Sequence, residues 1–127
     1  MRNTLEQAAQ KLIACFQQGN KLLLCGNGGS AADCGHIAGE LCKGFLSRRT
    51  PDQDFVESIG ESWAANLQQG LPAIDLTAQS PLITAIINDI SGEDIFAQQV
   101  MAYGQRGDVL LALTTSGNAE NVRRAML

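Results

Sequence analysis

Four apolar residues in succession, Leu22, Leu23, Leu24 and Cys25, run without polar alternation into Gly26-Asn27-Gly28-Gly29-Ser30, and no other feature of the 127-residue chain restricts the fold as strongly. A strand with one face in water alternates apolar with polar side chains, so an unbroken apolar run predicts a parallel strand covered on both faces. Gly26, Gly28 and Gly29 permit angles and close approaches that a Cβ forbids, and Ser30 stands where a helix N-cap is expected. Strand, glycine turn and helix N-terminus aim backbone N–H groups and the helix dipole at one point, which makes an anion site. The turn has neither the lysine of GxxxxGK[ST] nor the spacing of GxGxxG. A small phosphorylated ligand is therefore favoured, and no nucleotide cofactor is expected. A turn that merely connects strand to helix is the plain alternative.

The same design recurs near the other end. Gly107 and Asp108 lead into the apolar run Val109 to Leu113, then Thr114-Thr115-Ser116-Gly117-Asn118, with a helix expected from near Asn118. Two such turns, each at the carboxyl end of a parallel strand, point to one shared crevice of an open α/β sheet.

The intervening elements follow from spacing. Leu5, Ala8, Ala9, Leu12, Ile13 and Phe16 mark an opening helix, with Asn3 and Glu6 resembling a capping box and Gly19 ending it. In the helix after Ser30, glycines at Gly35 and Gly39 each cost about 1 kcal/mol relative to alanine, so something is expected to pack closely there. Asp33, His36 and Glu40 share one side of that helix. His36 and Glu40, one turn apart, can share a metal ion, can form a histidine-tuned carboxylate that moves protons, or can be a solvent-facing ion pair. Residues 47–70 form a loop and then an inserted amphipathic helix carrying Phe55, Val56, Ile59, Trp63 and Leu67, serving as packing, lid or subunit contact. Pro72 to Leu76 is a second strand. Ser80-Pro81 starts a helix buried along Leu82, Ile83, Ile86 and Ile87 and ended by Asn88 and Asp89. Ser91 and Asp94 cap another with Ile95, Phe96, Gln99, Val100 and Tyr103 inward. Asp89 thus stands at a junction, where it can reach a ligand or cap a turn.

Composition bounds the function. The apolar share of 45% suits one globular domain over residues 1–127, and a formal charge of −4 without a basic run argues against a nucleic-acid partner. No apolar stretch reaches the roughly 20 residues of a membrane span, and the N-terminus does not read as a signal peptide, so a cytoplasmic protein is expected. Cys15, Cys25, Cys34 and Cys42 lack CxxC spacing and read as reduced, mostly buried thiols.

CGNGGSAADCGHIAGEL together with DVLLALTTSGNAENV resembles the sugar isomerase (SIS) domain, and most nearly its sedoheptulose 7-phosphate isomerase (phosphoheptose isomerase) group, through Leu22 to Leu46 and Leu71 to Leu127. The resemblance implies an α/β fold, a three-layer flavodoxin-like sandwich around a five-stranded parallel sheet, in dimers or tetramers whose sites draw on more than one subunit. Only three strands are recognisable, so the chain is expected to be the N-terminal portion of a longer product.

The resemblance assigns phosphosugar contacts to Asn27, Gly28, Gly29 and Ser30 and the phosphate to Thr114, Thr115 and Ser116 with Asn118 nearby. It makes Glu40 the catalytic carboxylate, His36 an active-site histidine that with Glu40 can bind zinc, and Asp89 the acidic residue of an Asn-Asp pair. The implied reaction moves a proton between neighbouring carbons of a ketose phosphate through an enediol, with Glu40 as base, on the way to activated heptose; no group for the acid is recognisable. Ala119 replaces a hydroxyl residue of the phosphate loop, Gly44 replaces an arginine, and 47–70 is longer than in the typical isomerase. A noncatalytic SIS protein resembling the bacterial replication initiator-associating factor is the alternative, against which Glu40 speaks, since that factor lacks a glutamate there. A sugar-phosphate sensor is the third reading.

Overall fold

The computed structural model describes residues 2–127. A three-stranded parallel sheet in the order β2-β1-β3 is built from β1 (Leu22–Gly26), β2 (Ala73–Asp75) and β3 (Val109–Leu113). β1 is central and buried along its whole length, as its unbroken apolar run requires. It pairs with both neighbours, Leu22 opposite Ala73 on one side and Leu22 through Gly26 opposite Val109 through Leu113 on the other.

Alternate residues of β1 point to different layers. Leu22 and Leu24 pack with Cys34 and Ala38 of α2 (Gly29–Lys43), and Leu12 and Phe16 of α1 (Arg2–Gln17) flank them. Leu23 and Cys25 pack with Leu76 and with Ile86, Ile95, Phe96, Val122 and Ala125. These come from α5 (Ser80–Asp89), α6 (Ile95–Tyr103) and α7 (Glu120–Ala125). Helices therefore cover both faces of the sheet, giving three α/β/α layers. No helix among the described residues is long and apolar enough to cross a membrane.

Several local expectations are corrected. The opening helix already includes Arg2, so Asn3 lies inside it rather than at a cap, and Glu6 accepts from Arg2 Nε instead (3.3 Å). Ile87 is 51% exposed, leaving Ile86 as the buried anchor of α5. Ser91 caps a short 3₁₀ turn, Gly92–Asp94, accepting from the Glu93 N–H, whereas Asp94 makes no side-chain cap to α6.

The helix expected across 55–67 is two short ones, α3 (Gln53–Ile59) and α4 (Glu61–Ala64), divided by Gly60 at φ 89°. The break rotates the second half, so Trp63 is 79% exposed while Ala64 turns inward. The base of this segment is tied to the domain through arginine. Arg49 Nε donates to the Gln69 carbonyl (2.7 Å) and its terminal nitrogen to that of Leu41, while Arg48 donates to the Ala65 carbonyl. A cavity of about 390 Å³ opens beneath it, lined by Arg48, Thr50, Pro51, Val56, Glu61, Ala64 and Ala65.

Candidate functional site

Because β1 and β3 are adjacent, parallel and in register from Leu22/Val109 to Gly26/Leu113, the turns that follow them leave the same end of the sheet side by side. Gly26 makes that possible: a Cβ there would lie 2.9 Å from the Leu113 carbonyl oxygen and 2.9 Å from Ser30 Cβ. Gly28 takes φ 58° and is itself the N-cap of α2, with no side-chain cap. Ser30 therefore sits inside the first helical turn, not at the cap. Its N–H donates to the Asn27 carbonyl (3.1 Å), and Ala31 and Ala32 donate to Gly28. Among the described residues the N–H groups of Gly28 and Gly29 find no acceptor within the chain. Backbone donors left open in this way are what an anion needs.

The second turn is built from hydroxyls. Thr114 Oγ1 accepts from the Gly117 N–H and Ser116 Oγ from the Asn118 N–H, each at 3.2 Å, and Gly117 takes φ 70°. A hydroxyl that accepts from its own turn keeps its proton to donate outward. Thr114, Thr115, Ser116 and Asn118 are exposed, and Ser30 is half-buried.

A pair of amides joins the two turns. Asn27 Nδ2 donates to Asn121 Oδ1 (2.9 Å), and Asn121 Nδ2 donates back to Asn27 Oδ1 (3.0 Å). No sequence motif singles out Asn121; its one signal is an amide residue in the first turn of the helix after the second motif. The nearby arginines are occupied. Arg123 pairs with Glu120, and Arg124 with Glu120, Glu93 and both oxygens of Asp94. The two guanidiniums hold the Glu120 carboxyl down to about 2. The paired turns thus offer neutral donors.

His36 and Glu40 lie elsewhere on α2. Ten residues separate Ser30 from Glu40, about 15 Å along the axis at 1.5 Å per residue, and the Leu71 N–H donates to the Leu41 carbonyl (2.9 Å), setting that end of α2 beside the approach to β2. His36 Nε2 is 3.8 Å from Glu40 Oε1, and Lys43 Nζ donates to Glu40 Oε2 (3.0 Å). Gly35 faces Asp75, whose Oδ2 would be 3.2 Å from an added Cβ, whereas nothing lies within 4 Å of Gly39. Asp89 ends α5, exposed, accepting from Asn88 Nδ2 (2.7 Å). No hydrogen bond among the described residues connects it to either turn. The structure therefore brings together the residues of both turns and leaves His36, Glu40 and Asp89 apart from them within one chain.

For zinc, an imidazole nitrogen and a carboxylate oxygen are suitable in kind but supply half of a tetrahedral shell. No group of three or more His, Cys, Asp or Glu side chains is placed for a metal among the described residues.

A three-layer parallel sheet with paired donor turns at its carboxyl end defines the class, and the family model described as the SIS domain matches residues 1–69; the chain belongs to that family. Among its relatives is the phosphoheptose isomerase of Shewanella loihica (strain ATCC BAA-1088 / PV-4), 43% identical over 97% of this chain and 53% of its own length. Two solved structures are similar. The phosphoheptose isomerase of Francisella tularensis aligns with a TM-score of 0.78 at 34% identity, covering 98% of this chain and 55% of that one. That of Neisseria gonorrhoeae aligns at 0.73 and 36% identity, over 94% and 52%. The chain spans about half the length of the curated relatives it matches.

Proposed function

We propose that this chain carries the phosphate grip and catalytic base of a sugar phosphate isomerase, and that its substrate is sedoheptulose 7-phosphate, isomerised through an enediol in heptose biosynthesis. The observation that carries the reading is the register of β1 with β3, which brings the turn holding the open N–H groups of Gly28 and Gly29 and the hydroxyl-bearing turn out at the same end of the sheet. Phosphate oxygens are satisfied by such donors. Resemblance to relatives named phosphoheptose isomerase supports the substrate class.

In this reading Ser30, Thr114, Thr115 and Ser116 hold the phosphate, with Asn118 shaping the turn. Glu40 removes the proton, and His36 and Lys43 hold its carboxylate in place. Asp89 reaches the substrate from a second copy, which makes the working protein an oligomer, acting in the cytoplasm, and the acid that completes proton transfer is not assigned to any residue of this chain. A zinc ion held by His36 and Glu40, with its other donors from outside this chain, would polarise the substrate carbonyl.

The test is an isomerisation assay on sedoheptulose 7-phosphate with the full gene product and its Glu40→Gln variant. Loss of a general base is expected to slow turnover by roughly 10²- to 10⁴-fold. Full activity in the variant overturns the base assignment. Tight binding of phosphosugar without turnover by the wild type would favour the sensor or partner-binding role.

A further inference from the structure

The Asn27–Asn121 amide pair is the only side-chain hydrogen bonding that crosses from the first turn to the segment following the second among the described residues. Its two halves are anchored differently. Asn121 Oδ1 also accepts from the Val122 N–H at 2.9 Å, and Val122 is buried in the core, so Asn121 is held by the body of the domain. Asn27 is held by little else on its side chain and immediately precedes Gly28, the residue at φ 58° where the open N–H groups begin. A reciprocal amide pair fixes plane and rotation together, since each amide is at once donor and acceptor. Rotation of Asn27 would turn the Gly28 peptide, and glycine offers no resistance of its own.

From this we infer that Asn121 is a positioning residue: acting through Asn27, it holds the Gly28 and Gly29 N–H groups at a fixed spacing from the hydroxyls of Thr114 to Ser116, so that both donor sets meet one phosphate. The inference rests on the phosphosugar reading of the two turns. It also gives the Asn27 side chain a different role from a phosphate ligand. One N–H of its Nδ2 and one lone pair of its Oδ1 are engaged by Asn121, which fixes the direction of the amide, and the turn's main contribution to an anion comes from the backbone beyond it.

The test compares wild type, Asn27→Ala, Asn121→Ala and the double variant in the full gene product. Two measurements are made: dissociation constants for sedoheptulose 7-phosphate and for inorganic phosphate, and the unliganded backbone amide shifts of Gly28 and Gly29. Each single variant is expected to weaken both ligands by about tenfold, the scale of one lost hydrogen bond, and the double variant to be no weaker than either single. The amide shifts of Gly28 and Gly29 are expected to move alike in both singles. Asn121→Asp keeps the acceptor for Val122 N–H and removes the donor to Asn27. It isolates the pair from the local helix start and is read by amide shifts alone, because its charge would itself repel phosphate. Losses that multiply in the double variant, or amide shifts unchanged by Asn121→Ala and Asn121→Asp, overturn the inference. If wild type binds neither ligand the phosphosugar reading fails, and the amide shifts still decide whether Asn121 sets the turn.

Discussion

Gly26 and Leu113 face each other as partners in parallel strands, close enough that a methyl group on Gly26 would press against the Leu113 carbonyl oxygen at 2.9 Å. The same added Cβ would also lie 2.9 Å from Ser30 Cβ. The contact with Leu113 is with backbone, which cannot swing aside as a long side chain can. Gly26→Ala is therefore expected to lower stability by about 1–3 kcal/mol, seen as a lower urea midpoint, and to weaken phosphate binding as the two turns part. An unchanged midpoint would mean that the strands separate without cost and that the close approach is not what joins the turns.

The opposite end of the same strand pair is closed by charge. Asp108 accepts from Lys21 Nζ (2.7 Å), the Lys21 N–H (3.0 Å) and the Gln105 N–H (2.7 Å), with its side chain only 6% exposed. Burial pushes its carboxyl up, but the hydrogen bonds to Lys21 and Gln105 outweigh it, and the carboxyl lies below the usual range. A carboxyl depressed by folding stabilises the protein above its unfolded pKa, and that stabilisation fades as pH falls through the folded value. Asp108→Asn is expected to cost about 1.5–3 kcal/mol at neutral pH. The gap between wild type and variant is expected to begin narrowing below roughly pH 4, the unfolded carboxyl's value, and to close only once pH lies below the depressed folded value. A constant gap down to low pH would assign the loss to packing and not to the ionised carboxylate.

How much of this was legible in the sequence depends on whether a residue's role is local. The strands, the two turns and the buried Phe96 and Gln99 follow from runs and periodicity, because an apolar pattern reports directly on burial. The placement of both turns at one end of the sheet followed too, since two copies of strand, polar turn and helix in one parallel sheet leave little choice of end. What failed were features set by a neighbour in space. Ser30 has the chemistry of a cap, but the positive φ at Gly28 starts the helix earlier. Trp63 kept helical spacing with Phe55 and Ile59, yet Gly60 between them stops the helix and resets the faces. No motif in the sequence marks Asn121, because its partner, Asn27, is 94 residues away in the chain.

The thiols offer a check on packing that does not depend on function. Cys15, Cys25 and Cys34 are buried and Cys42 is exposed, all four unpaired. Burial, reinforced by the neighbouring Cys34 thiol, pushes Cys25 up to about 11. Burial, reinforced by the carboxylates of Asp75 and Asp33, does the same for Cys34. Thiolate is the reactive form, so neither side chain reacts readily near neutral pH. Labelling of the native protein with a maleimide is expected to modify Cys42 alone, with the remaining three reacting only after denaturation. Rapid native labelling of Cys25 would mean that the central strand is not sealed on both faces.

Salt dependence tests what kind of anion site the two turns make. A phosphate bound by free lysines or arginines loses affinity as salt screens the attraction. Here the arginines of α7 are already paired, Arg123 with Glu120 and Arg124 with Asp94, Glu93 and Glu120, and Lys43 is paired with Glu40. In the proposed grip the donors are N–H and O–H groups, whose short-range hydrogen bonds salt screens weakly. The chain as a whole carries a formal charge of −4, which repels a phosphate dianion at long range and is itself screened. Raising salt from about 0.05 to 0.5 M is therefore expected to change the dissociation constant for sedoheptulose 7-phosphate by less than about threefold, with a slight gain in affinity as the more natural direction. A loss of tenfold or more would show that a cationic side chain takes part in the grip, and would transfer the phosphate from the neutral turns to a site completed by a lysine or arginine.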